Sequence, residues 1–282
     1  MIISIEGGLC MVKRNGLGLL FIALVLVLAI TGCTKSGNSN TVDSSILTKV
    51  VQSKKLKVGV ILSYPPFGFK DDKNTPQGYD VDIANELAKS LNAELEIIDL
   101  DSSARIPAIE TGKVDAVIGS FSRTYERLQK INVSAPYSAA SEKMLVKKDS
   151  TIQKVQDLND KKVAVVKGST NQAVAELAPK AQLSYFSNSA ECVLAVKNGQ
   201  ADAFVEDESF LAYQVKLYPE LKVAGDPLIA PLYQGIAVRK GDQEWLNYLN
   251  FFVFQINNQG TNKSLYSKWF GINPPYMLNP QY

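Results

Sequence analysis

An α/β fold is predicted by three features of the 282-residue sequence. Short β-branched runs alternate with stretches of helical spacing: KVGVIL at 57–62 is followed by 79–91, where Val81, Ala84, Ala88 and Leu91 recur at helical intervals. The alternation starts again after 143–147, with KVAVV at 162–166 opening into GSTNQAVAEL. The composition, 46% hydrophobic and 21% charged, is that of a globular chain able to bury one or two cores. Together these predict open sheets flanked by helices.

Charge and residue counts narrow the chemistry. The formal net charge is +2, which gives no basic footprint for nucleic acid. The chain has no histidine, so Ser-His-Asp hydrolysis, His-Cys zinc sites and imidazole acid/base work are excluded. No cofactor or metal site is expected. Of three cysteines, Cys192 lies in the apolar run ECVLAV and reads as a small core residue, so no disulfide is expected in the mature domain.

Lys13 and Arg14 precede an apolar run over 17–30, long enough for a signal-peptide core and shorter than a membrane span. The run ends in Ile30-Thr31-Gly32-Cys33, which resembles a bacterial lipobox, so residues 1–32 read as a lipoprotein signal and Cys33 as the lipidated residue. Two acyl chains suffice for stable anchoring. The polar stretch from 33 to 50 reads as a tether.

Within the domain, Tyr64 and Phe67 sit in YPPFGF at the carboxyl end of the first strand, where ligands lie in open α/β sheets. Tyr64 reads either as a ligand contact or as a core aromatic. Asp80 and Asp82 favour the start of the 79–91 helix, and a strand follows over 93–99. Ser102 or Ser103 caps a helix that carries Arg105, takes Pro107 near its first turn and stops at Gly112. A strand over 115–118 then delivers Gly119, Ser120 and Ser122, and Arg127 lies beyond. Arg105 and Arg127 thus flank a strand that ends in hydroxyls. Two guanidinium forks converging on one cleft suit a ligand with two carboxylates, unless Arg105 faces outward from its helix.

In the second half, the glycine turn before Ser169 and Thr170 opens a helix, either as an anion site or as simple capping. It is not a Walker loop. A helix over 191–197 and a strand over 203–205 precede Glu206-Asp207-Glu208, three acids that read as a solvated loop.

GSFSRTYER at 119–127, followed by VSAPY at 133–137, resembles the signature of the polar amino-acid substrate-binding proteins of ABC importers. Tyr125 stands in place of that signature's proline and Val133 in place of its phenylalanine. The likeness runs from about 55 to 271. It implies a two-lobed periplasmic-binding-protein fold of type II, with 51–142 plus 234–282 as lobe 1, 143–233 as lobe 2, and the cleft between them. By the same resemblance Arg127 and Ser122 hold an α-carboxylate, completed by Thr170 from lobe 2. Ser120 and Asp207 face the α-ammonium, and Tyr64 covers the ligand. Arg105, in an R-I-P-x-L-like segment, matches the arginine that holds a side-chain carboxylate in aspartate and glutamate binders. Arg123 stands where the family has an apolar residue, and Trp269-Phe270-Gly271 resembles its C-terminal signature. The implied protein is a monomeric, lipid-anchored, extracytoplasmic partner of an ABC permease that binds glutamate or aspartate. Another polar amino acid, such as glutamine or cystine, is the alternative ligand, and a cyclohexadienyl or arogenate dehydratase-like enzyme using Glu206 or Glu208 as acid is the alternative function.

Overall fold

The computed structural model describes residues 44–276 and 278. The signal segment and Cys33 lie outside the described residues. No helix among them is long and apolar enough to cross a membrane.

The first sheet is built from β1 (Lys55–Val60), β5 (Glu94–Asp99), β6 (Ala116–Val117), β7 (Asn132–Ala140) and β13 (Leu232–Val238), in the order β5-β1-β6-β13-β7. Strands β5, β1 and β6 run parallel, so their carboxyl ends open on one side, while β13 is antiparallel to β6 and β7. The second sheet contains β8 (Glu142–Lys147), β9 (Lys162–Val166), β10 (Gln182–Phe186), β11 (Ala203–Asp207) and β12 (Leu221–Ala224), in the order β10-β9-β11-β8-β12. A small sheet of β2 (Ser63–Tyr64), β3 (Gly68–Lys70) and β4 (Pro76–Gln77) carries Tyr64.

The chain leaves the first sheet at Ser141, because β8 pairs with β11 from Glu142 onward, and it returns between β12 and β13. Glu142 therefore belongs to the second sheet and not to lobe 1, where the sequence reading put it.

Helices cover both sheets. Helix α1 (Ile46–Ser53) begins inside the segment read as tether: residues 46–50 are helical because Val50 inserts into the core and one carboxylate serves two helix starts. Asp242 accepts from Ser45 Oγ and the Ile46 amide at the start of α1, and from the Trp245 amide at the start of α8 (Gln243–Asn258). Along α8, Trp245, Leu249, Phe252, Val253 and Ile256 are buried at the i, i+4, i+7 spacing of one face. Trp245 also donates from Nε1 to the Asp115 carbonyl at 3.0 Å.

Helices α2 (Tyr79–Ser90) and α6 (Ser189–Lys197) form where the sequence places them, within a few residues, while α7 (Glu208–Leu217), which the sequence reading did not foresee, and α9 (Thr261–Phe270) complete the cover. Asp115 is not part of a strand. Its carboxylate is held by Lys49 Nζ and the Lys57 amide, both at 2.8 Å, which leaves β6 two residues long. Neither Ser102 nor Ser103 caps a helix: Ser102–Ala104 is a 3-10 turn, and α3 (Arg105–Glu110) starts on Arg105 itself.

Candidate functional site

The carboxyl ends of β1 and β6 face those of β9 and β11 across a cavity of about 30 Å³. That is room for a water or two, so an amino acid enters only when the two lobes part.

One end is cationic. Arg105 is 3% exposed and donates from Nη1 to the Gly119 carbonyl at 2.9 Å and from Nε to the Ser102 carbonyl at 3.0 Å. Arg127 is also buried, with Nη1 on the Ser122 carbonyl at 3.1 Å. The two guanidiniums converge. Both reach the carbonyl of Gly168 from the other lobe, at 3.5 and 3.2 Å, and both lie over the Phe121 ring, 4.9 and 4.5 Å from its centroid. Burial first, and then the neighbouring Arg127, bring Arg105 down to about 9. Burial brings Arg127 to about 10, so both are cations at neutral pH. Gly168 allows this approach: it has φ +78°, and a Cβ there would stand 2.7 Å from Ser103 Cα.

The opposite end is anionic. Asp207 Oδ2 accepts from Tyr64 Oη at 3.2 Å, Ser120 Oγ at 3.0 Å and Gln234 Nε2 at 2.8 Å, all three donors belonging to lobe 1. Glu206 accepts from Tyr64, Asn171, Ser189 and the Asp207 amide. Glu142 faces both acids, and Thr170 Oγ1 donates to its Oε1 at 3.2 Å. Burial raises all three carboxyls, and repulsion from the neighbouring acids adds to it at Glu142 and at Glu206, the latter to about 7. The cleft thus sets two guanidiniums against two acids of its wall, Glu206 and Asp207, with Glu142 buried beside them.

The sequence matches the bacterial extracellular solute-binding proteins, family 3, over residues 56–272. The chain belongs to that family. Among its relatives, the ABC transporter glutamine-binding protein GlnH of Bacillus subtilis is 31% identical over 94% of this chain and 99% of its own length. The ABC transporter arginine-binding protein 1 of Escherichia coli is 29% identical over 77% of this chain and 91% of its own. The crystal structure of an ancestral amino acid-binding protein, AncCDT-1, a precursor of cyclohexadienyl dehydratase, superposes with a TM-score of 0.76 at 40% identity, covering 80% of this chain and all of that one. Family 3 is the family of the polar amino-acid-binding proteins of ABC transporters, and its members work outside the cytoplasm.

In this solute-binding protein, Tyr64, Arg105, Gly119, Ser120, Ser122, Arg127, Ser169, Thr170 and Asp207 all line the one cavity. Phe67 does not: it packs behind Tyr64, 5.1 Å between ring centroids, and against Tyr79 and Phe270, because the turn at the prolines directs it into the aromatic core. Tyr64 is both contact and core, since its ring stacks on Phe210 at 4.4 Å while its hydroxyl reaches the acids. Arg105 faces inward, not to solvent.

Ser169 bonds the Val166 carbonyl and Asn171 Oδ1, and Thr170 makes no capping bond at the start of α5 (Asn171–Ala175). Glu206 and Asp207 are the last residues of β11 and buried, so the solvated-loop reading of the acidic run fails for them. Glu208 begins α7, pairs with Lys143 at 3.9 Å and accepts from Tyr276. Arg123 is half-buried, with its amide on the Tyr233 carbonyl, and is absent from the cavity wall. Trp269 and Phe270 pack, and Trp269 Nε1 donates to Asp82 at 2.7 Å.

Asp80 does more than favour the start of its helix: its carboxylate accepts from the Ser120 amide at 2.9 Å and Tyr137 Oη at 2.8 Å. It thereby holds Ser120 at φ +47°, the left-handed turn that aims the Ser120 hydroxyl at Asp207. Glu142, Gln234, Phe121 and Ser189 also escaped the sequence reading. Only Glu142 had a local signal: an acid at the head of the strand EKMLVK, whose middle, MLV, is apolar.

Proposed function

We propose that this solute-binding protein captures an amino acid with two carboxylates, L-glutamate or L-aspartate, and presents it to an ABC permease. The observation that carries the reading is the convergence of two buried guanidiniums, Arg105 and Arg127, on one point of the cleft. Two desolvated cations on one ring repel each other, and anions placed between them relieve that repulsion; two carboxylates on a short chain supply both. Relatives named for glutamine and arginine support the shared part of the ligand, an α-carboxylate at Arg127 and an α-ammonium at Asp207.

The cleft binds without turnover in this reading. Glu206 is held in place by four donors, and its task is to position charge. Phenylalanine or phenylpyruvate formed from arogenate or prephenate, and lost in Glu206→Gln, would replace the binding reading with a dehydratase. The anchor is proposed to be Cys33, which keeps the domain on the outer face of the membrane. Metabolic lipid labelling should mark the wild type and leave Cys33→Ala unlabelled and released; an unlabelled wild type would remove the anchor.

Titration calorimetry with the twenty amino acids tests the ligand. Glutamate or aspartate should bind at least a hundredfold more tightly than its amide, because an amide turns two hydrogens toward the desolvated Arg105. Arg105→Leu should erase that preference, losing about two orders of magnitude on the acid while holding or gaining affinity for the amide. Glutamine and glutamate binding alike to the wild type would sink the dicarboxylate assignment.

A further inference from the structure

Strands β8 and β11 pair antiparallel, and the register sets Glu142 directly opposite Asp207, with Glu206 beside it. Like charges in that cross-strand relation oppose the pairing. All three carboxylates are buried, with residue exposures of 1, 4 and 7% for Glu142, Asp207 and Glu206. One oxygen of each lies within 4.8 Å of the other two.

Their hydrogen bonding is unequal. Glu206 has four donors and Asp207 Oδ2 three. Glu142 has the Thr170 hydroxyl on Oε1, while Oε2 is buried without a hydrogen-bond partner among the described residues. A buried carboxylate oxygen with no donor costs free energy until something donates to it.

A tetrahedral ammonium donating three N–H groups at about 2.8 Å places its acceptors about 4.6 Å apart. One oxygen from each acid lies within 4.8 Å of the others, close enough for one such group to reach all three. A metal ion would need all three oxygens within about 2.0–2.6 Å of one centre and turned toward it, whereas Glu206 and Asp207 are already turned toward N–H and O–H donors.

We propose that Glu142 is a third ligand-contacting carboxylate, whose Oε2 accepts an N–H of the bound amino acid's α-ammonium beside Glu206 and Asp207. The assignment rests on the amino-acid reading above and is independent of which side chain the ligand carries. It makes the ammonium end a tripod borne wholly by the second lobe: Glu142 from β8, Glu206 and Asp207 from β11. The cross-strand repulsion between Glu142 and Asp207 is relieved when the ammonium arrives.

The test compares two ligands that differ only in that ammonium. Affinities of wild type and Glu142→Gln are measured for L-glutamate against glutarate, and for L-glutamine against its des-amino analogue. Glu142→Met, similar in length, serves as a second variant should Glu142→Gln fold poorly. The expected result is a loss of tenfold to a hundredfold on the amino acid, with affinity for the des-amino compound unchanged or improved. Equal losses on both members of a pair would make Glu142 merely structural, and no loss on the amino acid would place it off the ligand; either overturns the proposal. So would a rise in Tm with calcium chloride alone that disappears in Glu142→Gln. If the wild type binds glutamine and not glutamate, the dicarboxylate reading falls, while the glutamine pair still decides the role of Glu142.

Discussion

Arg127→Ala and Asp207→Ala are each expected to weaken L-glutamate binding by two orders of magnitude or more. Arg127 and Asp207 are both buried in the cavity wall, and in the proposed binding mode the ligand joins them across the cleft. Removing one member of a buried, hydrogen-bonded charge pair leaves the other uncompensated, at about 3 to 5 kcal/mol. At about 1.4 kcal/mol per tenfold, that is two to three and a half orders in Kd.

The loss should not be a folding defect. Thr124 Oγ1, not the Arg127 side chain, accepts from the Arg127 amide to start helix α4 (Tyr125–Lys130), and the strand bearing Asp207 is held by its backbone ladder to β8. Arg127→Lys should recover little, because an ammonium cannot form the fork that answers a carboxylate in two places. Calorimetry beside a thermal melt decides the matter. Either alanine variant binding within fivefold of wild type, with Tm unchanged, would show that the carboxylate and ammonium sit elsewhere in the cleft.

The ligand-free protein should be more stable at pH 5 than at pH 8, by about 3 kcal/mol for each of its most shifted acids. Burial first, then Asp207, pushes the Glu206 carboxyl from 4.5 to about 7. Burial likewise pushes Asp80 from 3.8 to about 7 against the bonds from Tyr137 and Ser120. Glu142 and Asp207 move the same way. Between the unfolded and folded values, the folded protein holds protons that the unfolded chain releases, so stability falls as pH rises. The contribution is fully present below about pH 4.5 and is lost through about pH 7.

A shift of about 2.5 units is about 3 kcal/mol at 1.36 per unit. For a domain of this size that corresponds to a drop in Tm on the order of 5–10 °C between pH 5 and 8. Asp71, Glu126, Asp157 and Glu220 are lowered, which is the opposite sign. They are exposed and screened, and their contribution is lost only as pH falls through values below the usual carboxylate range, outside this window. Saturating glutamate should flatten the curve, because the ammonium favours the ionised acids. A ligand-free Tm that is level or rising from pH 5 to 8 would mean that the acidic cluster is solvated.

The family and the alternation of strand and helix were legible in the sequence because their signals are local. The period of 79–91, the glycine turn before Ser169 and the motif at 119–127 each lie within a few turns of chain. Charge alone was less telling. Three consecutive acids read as solvated because most such runs are, and nothing local says that two of them end a fully buried strand. The tether ran too far for a related reason: Ile46, Leu47 and Val50 are an apolar face only once Asp242, 196 residues away, closes the start of their helix.

The sequence by itself determined the order of elements, the absence of imidazole chemistry and the presence of arginines flanking a hydroxyl-bearing turn. The tertiary structure alone decided which charges share the cleft. Tyr64 meets Glu206 across 142 residues of chain, and Glu142 meets Asp207 through the register of two strands from one lobe. Strand register and lobe closure depend on the sum of packing over both cores, so no short stretch encodes them. They are what turn separated acids and arginines into the two ends of one binding cleft.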